Sequence, residues 1–188
     1  MGFHREQRRV VVTGMGALTP VGNSVEEFWT SILAGVSGAA PIKQFDASGY
    51  DTKFACELKG FDASKYLDRK LVQRSDPFTH YALAATEMAV QDAQIDFTKF
   101  DRDRVGVVFG SGIGGLQTFT RQSRSIFESG GPHRISPFFI PMIILNMASG
   151  VTSILTGAKG PNTCVSTACA TGGNAIGDAN PPITVSQV

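Results

Sequence analysis

Residues 162–173 read Asn-Thr-Cys-Val-Ser-Thr-Ala-Cys-Ala-Thr-Gly-Gly, and this stretch decides the fold assignment. The part from about Asn162 to Thr167 predicts a strand. Small residues around Cys169 then lead into a Gly-Gly turn and a short helical pattern that runs through Ala179. A strand that passes through a sharp turn into a helix is typical of α/β folds, and such a turn lifts a side chain out of the sheet.

Two earlier segments extend the same pattern. Residues 105–109, Val-Gly-Val-Val-Phe, predict a strand that runs into a glycine-rich turn over 110–115 and a helix over 116–127. Residues 9–13, with three consecutive valines, predict a short buried strand before the glycine-containing loop 14–22. Strands separated by helical patterns predict an α/β fold with a largely parallel sheet. The chain shows no internal repeat or clean linker, so we expect one domain.

A first helix has both a start and a stop signal in the sequence. Ser24 and Glu27 form a capping-box pattern, and Gly35 is placed to end the helix. Apolar residues at helical spacing predict one stripe. The stripe consists of Val25, Phe28, Trp29, Ile32 and Leu33.

A second helix begins at Asp76-Pro77, an N-cap residue followed by proline at the first helical position. Its predicted buried stripe is rich in alanine, which predicts close packing against another element. This stripe consists of Phe78, Tyr81, Ala82, Ala85, Ala89 and Ala93.

The overall composition excludes several classes of protein. The chain has 188 residues, of which 42% are hydrophobic and 18% charged, and a formal net charge of +1. These values are typical of a globular domain and argue against nucleic acid or an anionic membrane as a partner of the whole surface. No apolar run approaches the ~20 residues that span a bilayer, and Val10–Val12 is too short for a signal peptide. The odd number of cysteines predicts a reduced, cytoplasmic setting.

Two motifs suggest cofactors that other features disfavour. Gly110-x-Gly112-x-x-Gly115 imitates a dinucleotide-binding loop, but no strand with a ribose-binding acid follows at the expected distance. We therefore expect no NAD or FAD and interpret these glycines as places where the backbone approaches a neighbour or ligand. A zinc site needs about four ligands. The cysteines and histidines lack such a spacing, so we expect no metal and no cofactor; they are Cys56, Cys164, Cys169, His4, His80 and His133.

The residues around Cys169 allow two interpretations of its role. At a sharp turn before a helix, the free N–H groups and the dipole of the helix favour a thiolate nucleophile. The backbone N–H of the same residue could face a developing oxyanion. The alternative is a small, buried structural cysteine. Cys164 lies an odd number of residues from Cys169. In a regular strand its side chain would therefore point to the opposite face from that of Cys169, so we expect Cys164 to pack in the core.

A basic cluster precedes the second helix, and its sequence allows two interpretations. It is either a solvated surface or a docking surface for an acidic partner. It consists of Lys65, Arg69, Lys70 and Arg74.

Four segments, in order, resemble the β-ketoacyl-[acyl-carrier-protein] synthases. They are 10–22, 105–115, 135–141 with Asn146-Met147, and 157–172. The details resemble the elongating type II enzyme of dissociated bacterial fatty-acid synthesis. The resemblance implies the N-terminal half of a thiolase-like fold, a homodimer, and a domain that covers residues 1–179.

The resemblance also implies a two-step reaction and roles for particular residues. An acyl chain moves from acyl carrier protein to Cys169, and the enolate formed from malonyl-carrier-protein on loss of CO₂ then attacks the acyl-cysteine. Ile113 and Phe139 would line the acyl pocket, and Ile140 would approach the pocket of the partner subunit. The docking interpretation of the basic cluster then gains support, since Arg69, Lys70 and Arg74 would bind the acidic carrier protein.

The chain departs from the family in two respects. The family's later motifs, His-Gly-Thr, Gly-His, a lysine and a Gly-Phe-Gly-Gly loop, are absent from the 188 residues. The resemblance also fails from about Asn180, so residues 180–188 are interpreted as a tail in which Pro181-Pro182 would stop a helix.

These departures define what we expect of the isolated chain. It should not complete condensation alone, and uncovered apolar surface should favour aggregation. The alternatives are a non-catalytic fragment that only folds, dimerises or binds acyl chains, and a polyketide ketosynthase.

Overall fold

The computed structural model describes residues 9–129 and 131–179. The helices are α1 (Val25–Leu33), α2 (Arg69–Arg74), α3 (Pro77–Asp92), α4 (Leu116–Ser129), α5 (Phe139–Ile143), α6 (Met147–Thr156) and α7 (Thr171–Asp178). The strands are β1 (Ala40–Pro41), β2 (Phe54–Ala55), β3 (Val107–Gly110) and β4 (Asn162–Val165). The predicted tail, 180–188, lies outside the described residues.

The two longer strands form the parallel pair that positions the site. β3 and β4 run side by side, with Val107 opposite Asn162 and Gly110 opposite Val165. β1 and β2 form a separate, short antiparallel pair. Helices α6 and α7 pack against β3 and β4. The predicted α/β fold is confirmed, and the strands before the two glycine-rich turns form its parallel pair.

The prediction of a buried strand over residues 9–13 is wrong. The structure assigns no strand there, and Val10, Val11 and Val12 are 48%, 59% and 75% exposed. Valine has a high strand propensity, but that propensity reflects packing on a neighbouring pleated surface. No strand among the described residues pairs with this segment, so the valines have no such surface.

The loop that follows packs tightly against α3, as its glycines predicted. A Cβ placed on Gly14 would lie 2.3 Å from the Ala89 carbonyl oxygen, and one on Gly16 would lie 2.0 Å from that of Ala85. The loop is also tied to the end of the helix, since the Met15 N–H donates to Asp92 Oδ2 over 2.9 Å. The alanines of α3 therefore do meet another element closely.

The buried stripe predicted for α3 is rotated in the structure. All six predicted residues are only half-buried. The fully buried residues of α3 are Thr79, His80, Leu83, Ala84 and Thr86. The difference arises because α3 also packs on α6, so its most covered face is not the alanine face that meets the loop.

Helix α1 has the predicted ends but an uncovered stripe. Ser24 Oγ accepts from the Glu27 N–H over 3.1 Å, and Gly35 follows the helix with φ of +67°. Trp29 and Leu33 are nevertheless 59% and 70% exposed, and α1 has no buried residue. The spacing predicted the apolar face, but the described part of the chain covers it only partly: Val25 and Phe28 are half-buried, and Ile32 is exposed like Trp29 and Leu33.

No helix among the described residues has both the length and the apolar character that a membrane span requires.

Candidate functional site

Cys169 lies on a sharp turn between β4 and α7, which we call the elbow (residues 166–170). The turn ends in a short 3₁₀ helix over Ala168–Ala170, and Cys169 is exposed. Ala168 has φ of +50°, in the left-handed region that a residue with a Cβ seldom adopts. Such backbone strain persists only where the surroundings impose it, and it is concentrated at functional sites.

Hydrogen bonds hold the elbow on both sides of the strained residue. The Thr167 N–H donates to Thr171 Oγ1 over 2.7 Å, and the Ala170 N–H donates to the Thr167 carbonyl over 3.1 Å. Ser166 Oγ donates to the Gly112 carbonyl over 3.3 Å. The exposed cysteine is therefore presented by a closed turn at the N-terminus of α7, as the strand–turn–helix interpretation predicted.

The glycine-rich turn after β3 lies beside the elbow. The Ser111 N–H donates to the Val165 carbonyl over 3.2 Å, where β4 ends. On its other side, the Gly115 N–H donates to the Ile143 carbonyl over 3.1 Å. A Cβ on Gly115 would lie 2.2 Å from the Met142 carbonyl oxygen, so only glycine lets these two segments meet so closely. Gly115 thus approaches a neighbouring backbone, which is one of the two possibilities the sequence left open, whereas a Cβ on Gly112 would meet nothing within 4 Å.

The residues predicted to line an acyl pocket lie on segments that these contacts connect. Ile113 belongs to the glycine-rich turn and is 65% exposed. Ile140, near the start of α5, is 58% exposed. Phe139 is half-buried and stacks on Phe119 with 6.3 Å between ring centroids.

An apolar cavity of about 890 Å³ lies elsewhere, between α1, the 14–17 loop and α3. Glu26 is the charged residue in its wall, beside apolar residues such as Phe28 and Trp29. Neither Cys169 nor any predicted pocket residue lines this cavity. Its position reflects the uncovered face of α1.

The other cysteines differ from Cys169 in their surroundings. Cys164 is half-buried in β4 opposite Phe109, and burial raises the pKa of its thiol, against the opposing hydrogen bond from the Ser111 backbone. Cys56 is exposed after β2. A buried structural role is wrong for Cys169, because its side chain is exposed. Cys164, which we expected in the core, is half-buried.

The histidines take no part in the elbow bonds described above. His80 is buried in α3, and its Nε2 has no hydrogen-bond partner among the described residues. His133 lies in the short 3₁₀ helix Pro132–Arg134, and His4 lies outside the described residues.

The basic cluster lies on and just before α2 and faces solvent. Arg69, Lys70 and Arg74 are exposed, and none forms an ion pair with another residue that the structure describes. The Arg74 guanidinium lies 4.6 Å from the centroid of the Phe138 ring. Arg74 therefore packs against an aromatic ring in addition to carrying a charge. The charges of Arg69 and Lys70 are the ones more available to a partner.

Two residues of structural importance to the site were not singled out from the sequence. Thr171 is 5% exposed and accepts the hydrogen bond that closes the elbow. Asp76, predicted only as the cap of α3, also accepts from the Thr118 N–H of α4 over 2.8 Å. The sequence did contain a signal for Thr171: it places a hydroxyl at a predicted helix start, four residues after Thr167. Ser and Thr side chains at such positions often form hydrogen bonds with nearby backbone N–H groups.

A parallel strand pair leads to an exposed cysteine that follows the strained Ala168 and precedes a helix, so the structure is that of an α/β protein with a candidate nucleophile. The family model "Beta-ketoacyl synthase, N-terminal domain" matches residues 7–181. The chain belongs to the β-ketoacyl synthase family and corresponds to its N-terminal domain.

Curated relatives agree with this assignment. The chain is 49% identical over 174 residues to 3-oxoacyl-[acyl-carrier-protein] synthase 2 of Synechocystis sp. (strain ATCC 27184 / PCC 6803 / Kazusa), which covers 93% of this chain and 42% of that protein. It is 48% identical over the same length to the protein of that name in Staphylococcus aureus (strain COL). The chain thus spans 42% of the length of these relatives.

Solved structures confirm the fold. The ishigamide ketosynthase/chain length factor matches 86% of this chain with a TM-score of 0.78 and 28% identity, over 40% of its own length. A complex described as a type II PKS acyl-carrier protein with its ketosynthase matches 93% of this chain with a TM-score of 0.75 and 28% identity, over 47% of the matched chain.

Proposed function

We propose that this chain provides the acyl-accepting site of a β-ketoacyl-[acyl-carrier-protein] synthase that elongates fatty acids, with Cys169 as the nucleophile. The observation that carries the proposal is the exposed Cys169 on a closed, strained elbow at the start of α7. A family member needs a nucleophile that projects from the end of a strand toward a bound thioester. Cys169 is the cysteine of this chain in that position.

The proposed step is a transthioesterification. The Cys169 thiolate attacks the carbonyl carbon of the acyl thioester on the carrier's phosphopantetheine arm. The tetrahedral oxyanion collapses, the carbon–sulfur bond to the carrier breaks, and the carrier leaves as a thiolate while the acyl group stays on Cys169. The positive end of the α7 dipole lies at this turn, and the Cys169 N–H is a candidate donor to the oxyanion.

Ile113, Phe139 and Ile140 are the proposed acyl-pocket residues. Ile113 and Ile140 are large apolar side chains that the described residues leave more than half exposed, and Phe139 is half-buried on the same connected segments. Apolar surface next to a candidate nucleophile suits an aliphatic chain. Ile140 is proposed to approach the partner's pocket in a homodimer.

The proposed partner is acyl carrier protein, which docks on Arg69, Lys70 and Arg74 through charge complementarity. These cations are exposed and have no acidic partner within residues 9–129 and 131–179, which supports the proposal. The ketosynthase among the structural relatives that is described as bound to its acyl-carrier protein also supports it.

The second half-reaction, decarboxylation and condensation, is not assigned to residues of this chain. His80 is buried, and neither it nor His133 lies in a His-Gly-Thr or Gly-His motif. We therefore propose that the 188 residues accept an acyl group but do not complete condensation alone.

Free thiols at all three cysteines are compatible with the proposed cytoplasmic setting.

Two alternatives remain as competing proposals. A non-catalytic role is favoured by the exposed apolar residues of α1, which suit a chain that only binds or assembles. A polyketide ketosynthase is less favoured, since identity is 28% to the polyketide-type structure and 49% to the curated synthase.

Intact-protein mass spectrometry tests the proposal after the chain is mixed with an acyl-carrier-protein thioester. We expect one acyl mass gain that Cys169→Ala abolishes. The matched variant Cys56→Ala, which removes another exposed thiol, should keep it. No gain in a folded sample would leave the non-catalytic alternative, and a gain that survives Cys169→Ala would show acylation at another residue.

A further inference from the structure

The elbow holds a residue in an unfavourable conformation, so something must stabilise it. A left-handed φ brings the Cβ of a residue too close to its own backbone, and Ala168 has φ of +50°. Ala168 lies directly before Cys169, so the direction of the cysteine depends on this conformation.

One side chain bridges the strained residue. Thr171 Oγ1 accepts from the Thr167 N–H over 2.7 Å, so this bond begins before Ala168 and ends after Cys169. The backbone N–H of Thr167 faces no carbonyl partner in the turn; its acceptor is the threonine hydroxyl.

The same threonine anchors the elbow to the sheet. Thr171 is 5% exposed, and a Cβ built on Gly110 would lie 2.3 Å from Thr171 Cγ2. The methyl group of Thr171 therefore occupies the space that Gly110 leaves at the end of β3. The hydroxyl group of Thr171 thus holds the elbow closed, and its methyl group packs the elbow against the end of β3.

We propose that Thr171 is a positioning residue whose hydroxyl holds the elbow closed and thereby orients Cys169 toward its acyl donor. The consequence for acyl transfer rests on the proposed function, whereas the closing of the elbow does not. Without the hydroxyl, the Thr167 N–H loses its acceptor and Ala168 is free to relax toward negative φ. The thiolate and the Cys169 N–H would then no longer be presented together.

Two variants separate the hydroxyl from the methyl group. Thr171→Val keeps the shape and removes the acceptor, and Thr171→Ser keeps the acceptor and removes the methyl. Thr156→Val is the control for general loss of stability, because Thr156 Oγ1 donates to the Thr152 carbonyl within α6, away from the elbow.

The first measurement is amide hydrogen exchange at Thr167 in the full chain. Thr171→Val should accelerate exchange of this amide about five-fold or more, the factor that corresponds to loss of a hydrogen bond of ~1 kcal/mol. Thr171→Ser and Thr156→Val should stay within about two-fold of the unmodified chain. Unchanged exchange in Thr171→Val, or equal acceleration in Thr171→Ser, would overturn the proposal.

The second measurement is the rate of acyl transfer to Cys169. Thr171→Val should lower it on the order of ten-fold, since small errors in alignment are costly, and Thr171→Ser should restore it. If Thr167 responds as expected but the unmodified chain takes up no acyl group, the proposed function fails while the closing role stands. If the unmodified chain is acylated and Thr171→Val is acylated equally fast, the orienting role is overturned.

Discussion

At the scale of single residues, small side chains and buried polar atoms govern how the site is held. Gly14 and Gly16 bring the N-terminal loop onto α3, and Gly115 brings the turn after β3 onto α5. At each position an added methyl group would meet a backbone oxygen, which cannot move aside as a flexible side chain can. His80 contributes differently, through a buried ring whose Nε2 has no hydrogen-bond partner in the part of the chain that the structure describes.

Gly16→Ala tests the contact between the loop and α3. The added Cβ would lie 2.0 Å from the Ala85 carbonyl oxygen, so the loop must move away. We expect the free energy of unfolding, measured in urea, to fall by about 1–3 kcal/mol. Gly49→Ala is the matched control, because an added Cβ there meets nothing within 4 Å. Equal losses for the two variants would contradict the packing argument.

His80 predicts a loss of stability at mildly acid pH. Burial lowers the pKa of His80 below its usual 6.5, against backbone hydrogen bonds with Val72 and Ser75 and the Asp76 carboxylate, which favour the charged ring. The unfolded chain therefore binds a proton at a higher pH than the folded chain does. Stability from the neutral ring is fully present above about pH 6.5 and declines as the pH falls from there toward the folded pKa.

Urea unfolding at pH 7.5 and 5.5 measures this effect. The unmodified chain should be less stable at pH 5.5, and His80→Gln should lose less stability between the two values. Carboxylates such as Asp46, Asp62 and Asp96 do not interfere, because hydrogen bonds lower their pKa from 3.8 and their contributions are lost only at more acid pH. The same loss in both proteins would exclude His80 as the cause.

At the scale of elements, one carboxylate joins two helices and one helix concentrates positive charge. Asp76 Oδ1 accepts from the Phe78 N–H in the first turn of α3, and Oδ2 accepts from the Thr118 N–H in the first turn of α4. Asp76 is 2% exposed, so a loss of either bond leaves a buried donor unsatisfied. Helix α4 follows the turn that contacts the elbow, which makes this shared cap a link between α3 and the site.

Asp76→Ala should therefore cost more than the loss of an ordinary cap. We expect the free energy of unfolding to fall by about 2–4 kcal/mol, because two helices lose an acceptor at a buried position. Asp68→Ala is the control: Asp68 Oδ1 caps only α2 and is exposed, so its loss should cost about 1 kcal/mol. A cost for Asp76→Ala no greater than that of Asp68→Ala would show that the bond to α4 contributes little.

Charge reversal on α2 tests the proposed carrier-docking surface. The double variant Arg69→Glu/Lys70→Glu should weaken binding of acyl carrier protein about ten-fold or more at low salt, with a smaller difference at high salt. Arg74 is left in place because its guanidinium contacts Phe138. Lys159→Glu, an exposed cation after α6, is the control. Calorimetric titration that gives equal affinities for both variants would remove α2 as the docking element.

At the scale of the whole molecule, apolar surface remains uncovered on several elements. Val12 is 75% exposed, Leu33 on α1 70%, and Phe127 on α4 85%. Residues of this kind normally lie in cores or interfaces, and exposed apolar patches mark interaction or aggregation surfaces. The predicted tendency toward aggregation has its structural basis in these faces.

The isolated chain should therefore self-associate as its concentration rises. Sedimentation velocity over the micromolar range should reveal species larger than the 20.0 kDa monomer, and the chain should bind a hydrophobic dye such as ANS. Trp29→Glu/Leu33→Glu on α1 should reduce both signals, whereas Thr30→Glu, an exposed polar position of the same helix, should leave them unchanged. A dye-negative monomer at all concentrations would contradict the expectation.

The sequence by itself determined the local features of this protein. Capping residues placed the starts of α1 and α3, glycines predicted close backbone approaches, and the residues around Cys169 predicted a strand, a turn and a helix. These features depend on interactions within a few residues, so their physics can be read from neighbours in the chain. The four family-like segments determined the family for the same reason, since each is a short pattern.

Only the tertiary structure decided which faces are covered and which distant groups meet. The valines of 10–12 predicted a strand but pair with no strand of the described residues, and α3 buries a face other than the one predicted because it packs on α6. The second bond of Asp76 connects residues 42 positions apart, and the contact of Thr171 with Gly110 likewise joins separate elements. Burial and pairing depend on partners supplied from elsewhere in the chain, and no local pattern contains that information.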